Sequence, residues 1–144
     1  MGFLGKLSNG HRDTEGAAAV EFALVLPLLM LLVLGGLDWG YYFFIKQVST
    51  NAAREGARAG SLELDATVSA SMARSTVGNY LSGAGLDPND PGLVVNVNVT
   101  DEGTAANPMS TVRVDVSYPA GSLTGFTEVI IPDMANATAQ MRRF

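Results

Sequence analysis

Glu21 is the only ionisable residue in the 21-residue run Ala17–Leu37 (AAAVEFALVLPLLMLLVLGGL). A carboxylate in so apolar a stretch is costly unless it is paired or only shallowly immersed, which makes it a functional candidate by default. It stands fifth counting from Ala17, and Gly16 closes the polar segment in front. If the chain is cut after Gly16, a cationic α-amino group lies about one helical turn from the carboxylate, as its partner within one subunit or on a neighbour. The alternative is an acid at headgroup level, favoured by the N-terminal end of a helix dipole.

Other chemistry is thinly supplied. With no cysteine, disulfides and thiolate metal sites are excluded, and the single imidazole, His11, lies in the polar N-terminal segment, far from any serine nucleophile. That removes His-based triads and HExxH zinc sites from the rest of the chain. Asp87, Asn89 and Asp90 hint at calcium, but Pro88, Pro91 and the lack of a distal Glu fit no EF-hand loop, so a turn is expected. A net charge of −5 with nine scattered basic residues makes no phosphate-binding face, so nucleic acid is not an expected partner. No catalytic residue, metal or cofactor is expected. Arg54, Glu55 and Arg58 have helical spacing, with Glu55 and Arg58 as i,i+3 neighbours. They read as a solvated face or as one that docks on the chain's own sheet or on a partner. Asp38, at the end of the apolar run, reads as a solvated helix-end residue, or as a pair for a base on another subunit. Gly36/Gly40 and Gly56/Gly60 are small-xxx-small pairs that allow close helix packing.

These residues must be carried by a few elements. Residues 1–16 form a polar leader, and residues 17–38 form a transmembrane helix by length, since 21 residues at 1.5 Å span roughly 30 Å. Trp39, Tyr41 and Tyr42 mark the membrane exit near residues 39–44. A cleaved secretory signal competes, but Leu34 would occupy the small −3 position for a cut after Gly36, and Asp13 and Glu15 dilute the positive start. Basic residues on the two sides, Lys6 and Arg12 against Lys46, Arg54 and Arg58, leave orientation open. The helix continues to about Ser61 as an amphipathic stretch, and the whole rod from Ala17 is about 65 Å long. Gln47, Asn51, Arg54 and Arg58 lie on one face, and Ile45, Val48, Ala52, Gly56 and Ala59 on another. Pro27 and Gly35-Gly36 are places for a kink.

Asp65 is the expected N-cap of a second helix reaching about Leu81, with Val68, Met72, Thr76 and Tyr80 at helical spacing. After the Gly- and Pro-rich LDPNDPG break the period becomes two. Val95, Val97 and Val99 alternate with asparagines, and Val112, Val114, Val116 and Tyr118 with Arg113, Asp115 and Ser117. A hairpin across DEGTAANPM is the economical pairing. Residues 126–131 (FTEVII) read as a short strand or packed loop, and Ala135–Met141 as a last strand. The expected fold is α+β: a long N-terminal helix over 17–61, then a head over 62–144 with a second helix and an antiparallel sheet of three to four strands.

The GAAAVEF junction, the LVLPLL run, the DWGY exit, NAAREGAR and the terminal ATAQMRR resemble the TadE family of pseudopilins, part of the tight-adherence (Flp, type IVb) pilus machinery. The likeness is strongest over residues 12–60. It implies a pilin-type helix and cleavage after Gly16 by a prepilin peptidase on the cytoplasmic side. Ala17 becomes the new N-terminus, Glu21 the acid of the pilin pattern and Phe22 the aromatic residue after it. The acids near the cut depart from the usual positive flank. The implied protein is a non-catalytic minor pilin of the inner membrane, single-pass, with a cytoplasmic N-terminus and a periplasmic head. It takes part in initiation or assembly of an adhesive, biofilm-forming pilus, within the extracellular filament or at its base. Implied partners are the prepilin peptidase, other minor pilins, the major pilin, the inner-membrane assembly platform and the lipid bilayer. The rival reading is a membrane-anchored periplasmic binding module that never enters a filament. A carboxylate-dependent enzyme would need a cleft of which the sequence gives no sign.

Overall fold

The computed structural model describes residues 10–101 and 110–143, with side chains from Gly16 onward. Residues 1–9 of the expected leader, the side chains of 10–15 and most of the DEGTAANPM connection therefore lie outside the described residues. Five elements follow in order: α1 (Gly10–Ser61), α2 (Ala66–Gly83), β1 (Val94–Asp101), β2 (Ser110–Pro119) and β3 (Met134–Arg143). The α+β class and the long first helix are as expected, and the sheet has three strands.

α1 is a single helix of 52 residues, about 78 Å at the usual rise. It begins seven residues before the anticipated start at Ala17. No proline interrupts residues 10–16, and an already nucleated helix extends at little cost. Pro27 lies inside it and does not end it. From Ile45 onward one face is buried: Ile45, Ala52, Ala53 and Ala57 have no exposed surface. The face anticipated from Ile45, Val48, Ala52 and Gly56 is the one that meets the head.

α2 starts where its cap requires. The Asp65 carboxylate accepts the amides of Thr67 and Val68. The Thr67 hydroxyl, followed by those amides, holds this carboxyl below its ordinary range. The buried row of α2 is Ser69, Ala73, Val77 and Leu81, one position beyond Val68, Met72, Thr76 and Tyr80, whose helical spacing marked the helix in the sequence. Of those four, Val68, Met72 and Tyr80 are exposed. The reason is backbone proximity. A Cβ placed on Gly56 would lie 2.7 Å from Val77 Cγ2 and 3.0 Å from the Ala73 carbonyl oxygen, and one on Gly60 would lie 3.1 Å from the Ser69 carbonyl oxygen. Only the row of small and short side chains fits so narrow a gap. Ser69 belongs in it because its hydroxyl donates to the Gly60 carbonyl at 2.7 Å.

The sheet order is β1-β2-β3, antiparallel throughout. Val95, Val97 and Val99 stand opposite Val116, Val114 and Val112. On the other side Val112, Val114, Val116 and Tyr118 face Met141, Ala139, Ala137 and Ala135. The valine rows therefore stack on one face, against α1 and α2, and the core forms there. The opposite face carries Asn96, Asn98, Arg113 and Thr138, all exposed. Residues 126–131 form no strand. They belong to the β2–β3 connection, in which Thr127 and Ile131 are buried.

Gly56→Ala tests the close approach. Overpacking costs about 1–3 kcal/mol, against a gain in helix propensity of about 1 kcal/mol, so net destabilisation is expected in urea unfolding of the detergent-solubilised protein. A stabilised variant would show that α1 and α2 stand further apart.

Candidate functional site: the exposed rod and its junction with the head

From residue 16 to residue 33, α1 is left uncovered by the described residues. Phe22, Leu24, Val25, Leu28, Leu31, Leu32 and Leu37 are each more than half exposed. None of the most apolar 18-residue window is buried inside the protein. Surface of this size and continuity is not left to water by a soluble monomer. α1 is the one helix among the described residues long and apolar enough to cross a membrane.

At the near end of the rod, Gly16, Ala17, Glu21 and Phe22 are all exposed along the helix. No ion pair among the described residues involves Glu21. Gly36 and Gly40, four residues apart, have nothing within 4 Å of where a Cβ would stand. Gly56 and Gly60, by contrast, are consumed in the chain's own α1–α2 packing. Arg54 and Arg58 point away from that packing. Arg58 Nε donates to Glu55 Oε2 at 2.9 Å, an exposed pair worth tenths of a kcal/mol. The site residues thus fall into groups spread along one helix and do not converge on a cleft. Asp87 and Asp90 accept the amides of Asn89 and Gly92 within their own turn. Among the described residues no three His, Asp or Glu side chains gather in a metal-holding group.

Asp38 corrects the expectation of a solvated helix end, because it has no exposed surface. Its Oδ2 accepts the hydroxyls of Ser122 (2.6 Å), Thr124 (2.7 Å) and Thr127 (2.6 Å), and its Oδ1 accepts the Thr124 amide (2.8 Å). Each donor is neutral, and no ion pair among the described residues reaches this carboxylate. A buried charge is tolerated when its lone pairs are filled in this way. The effect is to fasten the β2–β3 loop to α1 where the apolar run ends. Sequence reading missed this because the donors lie 84 to 89 positions away. A Ser/Thr-rich loop (GSLTGFT) with nothing else to bond was the available signal.

Immediately beyond Asp38, Trp39 packs edge-on to Tyr42 at 5.8 Å and tilted on Phe43 at 5.6 Å. Tyr41 and Tyr42 lean on the head's core. The aromatic belt read from the sequence is therefore also the joint between rod and head.

Together these features define a protein whose small α+β head is carried on a bare apolar helix suited to single-pass membrane anchoring. The model of the TadE-like protein family matches residues 16–58: the Gly16 junction, the rod, the Asp38 exit and most of the stripe that meets the head. Over that segment the chain is similar to TadE-like proteins. No curated protein and no solved structure matches the chain.

Asp38→Ala is expected to free the 121–131 loop while α2 and the sheet stay folded. Loss of charge-assisted hydrogen bonds, partly replaced by water, should lower the loop's opening free energy by about 2–3 kcal/mol. Amide exchange at Thr124 would then quicken roughly 30- to 150-fold. Unchanged exchange would mean that Asp38 does not hold the loop.

Proposed function

We propose that this chain is a non-catalytic minor pilin or pseudopilin that takes part in initiating or assembling a Tad-type (Flp, type IVb) pilus. The reading is carried by one observation: the TadE-like segment includes a rod whose most apolar stretch none of the described residues covers. Such a rod is at home in lipid before assembly and against other apolar helices after it. Residues 1–16 are a leader removed by a prepilin peptidase, and the head stands on the periplasmic side.

The proposed mechanism is electrostatic. Cleavage after Gly16 exposes the Ala17 amine, and a carboxylate four residues on can neutralise it on the same or a neighbouring subunit. In lipid both charges are strongly penalised when alone, so pairing them favours the correct axial register of two helices. Phe22 follows the acid on the exposed helix surface. Gly36 and Gly40 leave the helix backbone open to close approach by another pilin helix, which lipid alone does not drive. Arg54 and Arg58 offer an exposed basic face, clear of the head's own packing, to a neighbouring subunit.

N-terminal sequencing of the protein from its host should find Ala17 first. An intact leader would favour an anchored periplasmic module that stays out of filaments. Glu21→Ala should be cleaved normally yet be incorporated into pili at least tenfold less, the loss of a pair worth about 1.4 kcal/mol or more. Normal incorporation would refute the charge pairing.

A further inference from the structure

The β2–β3 connection, residues 120–133, has the wrong surface for a loop in water. Leu123, Phe126, Val129 and Ile130 are 62, 56, 99 and 69% exposed, and Glu128 is the only charge between Ala120 and Pro132. Its polar groups turn inward. Ser122, Thr124 and Thr127 give their hydroxyls to Asp38. The amides of Ile130 and Ile131 donate to the Thr127 carbonyl. Those of Gly125 and Phe126 donate to the Ser122 and Thr124 hydroxyl oxygens. At the base, the Ala120 amide donates to the Asp133 carbonyl at 2.8 Å. Apolar side chains outside, with many of the polar groups bonded within the loop or to Asp38, suits the headgroup–acyl boundary, where water remains for the other backbone groups.

The loop's position names the occupant. Thr127 Cγ2 lies 3.8 Å from where a Gly35 Cβ would stand, and Gly35 is inside the apolar run, before its end at Leu37. The loop is pinned to Asp38 and laid back against the rod on the membrane side of Trp39. Its apolar tip therefore continues the surface of the rod.

We infer that residues 123–130 dip into the head-side leaflet of the bilayer at the headgroup–acyl boundary, giving the head a second attachment beside α1. This rests on the reading that the rod lies in lipid. The two attachments hold the head at a set tilt on the membrane, with Glu128 among the headgroups.

The chain has no cysteine, so single cysteines introduced as Val129→Cys, Leu29→Cys and Ser75→Cys can each carry an environment-sensitive NBD label. The full chain is reconstituted at low protein-to-lipid ratio in phosphatidylcholine/phosphatidylglycerol vesicles and challenged with nitroxide lipids or aqueous iodide. The label at Val129 should be blue-shifted, quenched by shallow nitroxide lipids and spared by iodide, whereas that at Ser75, on the exposed side of α2, should show the reverse. If the Leu29 label is lipid-quenched but the Val129 label is as open to iodide as Ser75, the loop inference is overturned and the rod's placement stands. If the Leu29 label is not lipid-quenched, the membrane reading falls and the loop inference with it. Shielding of the Val129 label that appears only at high protein density would assign the patch to a second copy and equally overturn the inference. Phe126→Cys, labelled in the same way, guards against a local effect of one label.

Discussion

A helix of 52 residues is about twice as long as the stretch from Asp38 to Gly60 that the head covers, so α1 has to satisfy two environments with one unbroken backbone. From Ala17 to Leu37 its side chains are apolar on every side but for Glu21, and among the described residues only the β2–β3 loop comes near them, at Gly35. From Ile45 the demand changes to a narrow stripe of alanines and glycines, because α2 and the sheet approach almost to backbone contact. The switch takes place within about two turns, and Asp38, Trp39 and Tyr42 occupy it. A carboxylate at that border is affordable only because the β2–β3 loop returns to fill its lone pairs. The loop's course, and with it where β3 can begin, follows from that need.

The family match ends at residue 58, close to where α1 ends. The shared segment is then the part of the chain that both environments constrain: an apolar surface for lipid or helices, and a small-residue stripe for the head. α2 and the sheet answer to less. They must present a complementary groove and a valine-lined face, which many sequences can do.

Elements with a strong period were legible in the sequence. The alternating valines of β1 and β2 registered against each other as their spacing implied, and Asp65 capped α2 as its position before a helical run suggested. Where reading failed, the deciding information lay at long range. Val68, Met72 and Tyr80 are the more apolar row of α2, but the row that fits against Gly56 and Gly60 is smaller, and close backbone packing outweighs side-chain hydrophobicity there. Of the two glycine pairs, the membrane pair stayed open and the head pair became core. Asp38 looked like any solvated acid because its partners are four hydroxyl and amide donors from a distant loop. Of the two readings of FTEVII, short strand or packed loop, the loop holds, because its threonine bonds that same carboxylate. The junction residues Gly16 to Phe22 stood out in the sequence because a single acid in apolar surroundings is conspicuous without any tertiary information.

The absence of any break in α1 between Glu21 and Ile45 has a geometric outcome. Each residue of helix turns the chain by about 100° and lifts it by about 1.5 Å, so the azimuth of the head around the rod is set by counting residues from the acid. One residue added within Leu24–Val33 would swing the head through more than a quarter circle relative to Glu21, while a change of seven would nearly restore it. The rod thus behaves as a rigid shaft with the head keyed to it, and its length encodes the direction the head faces.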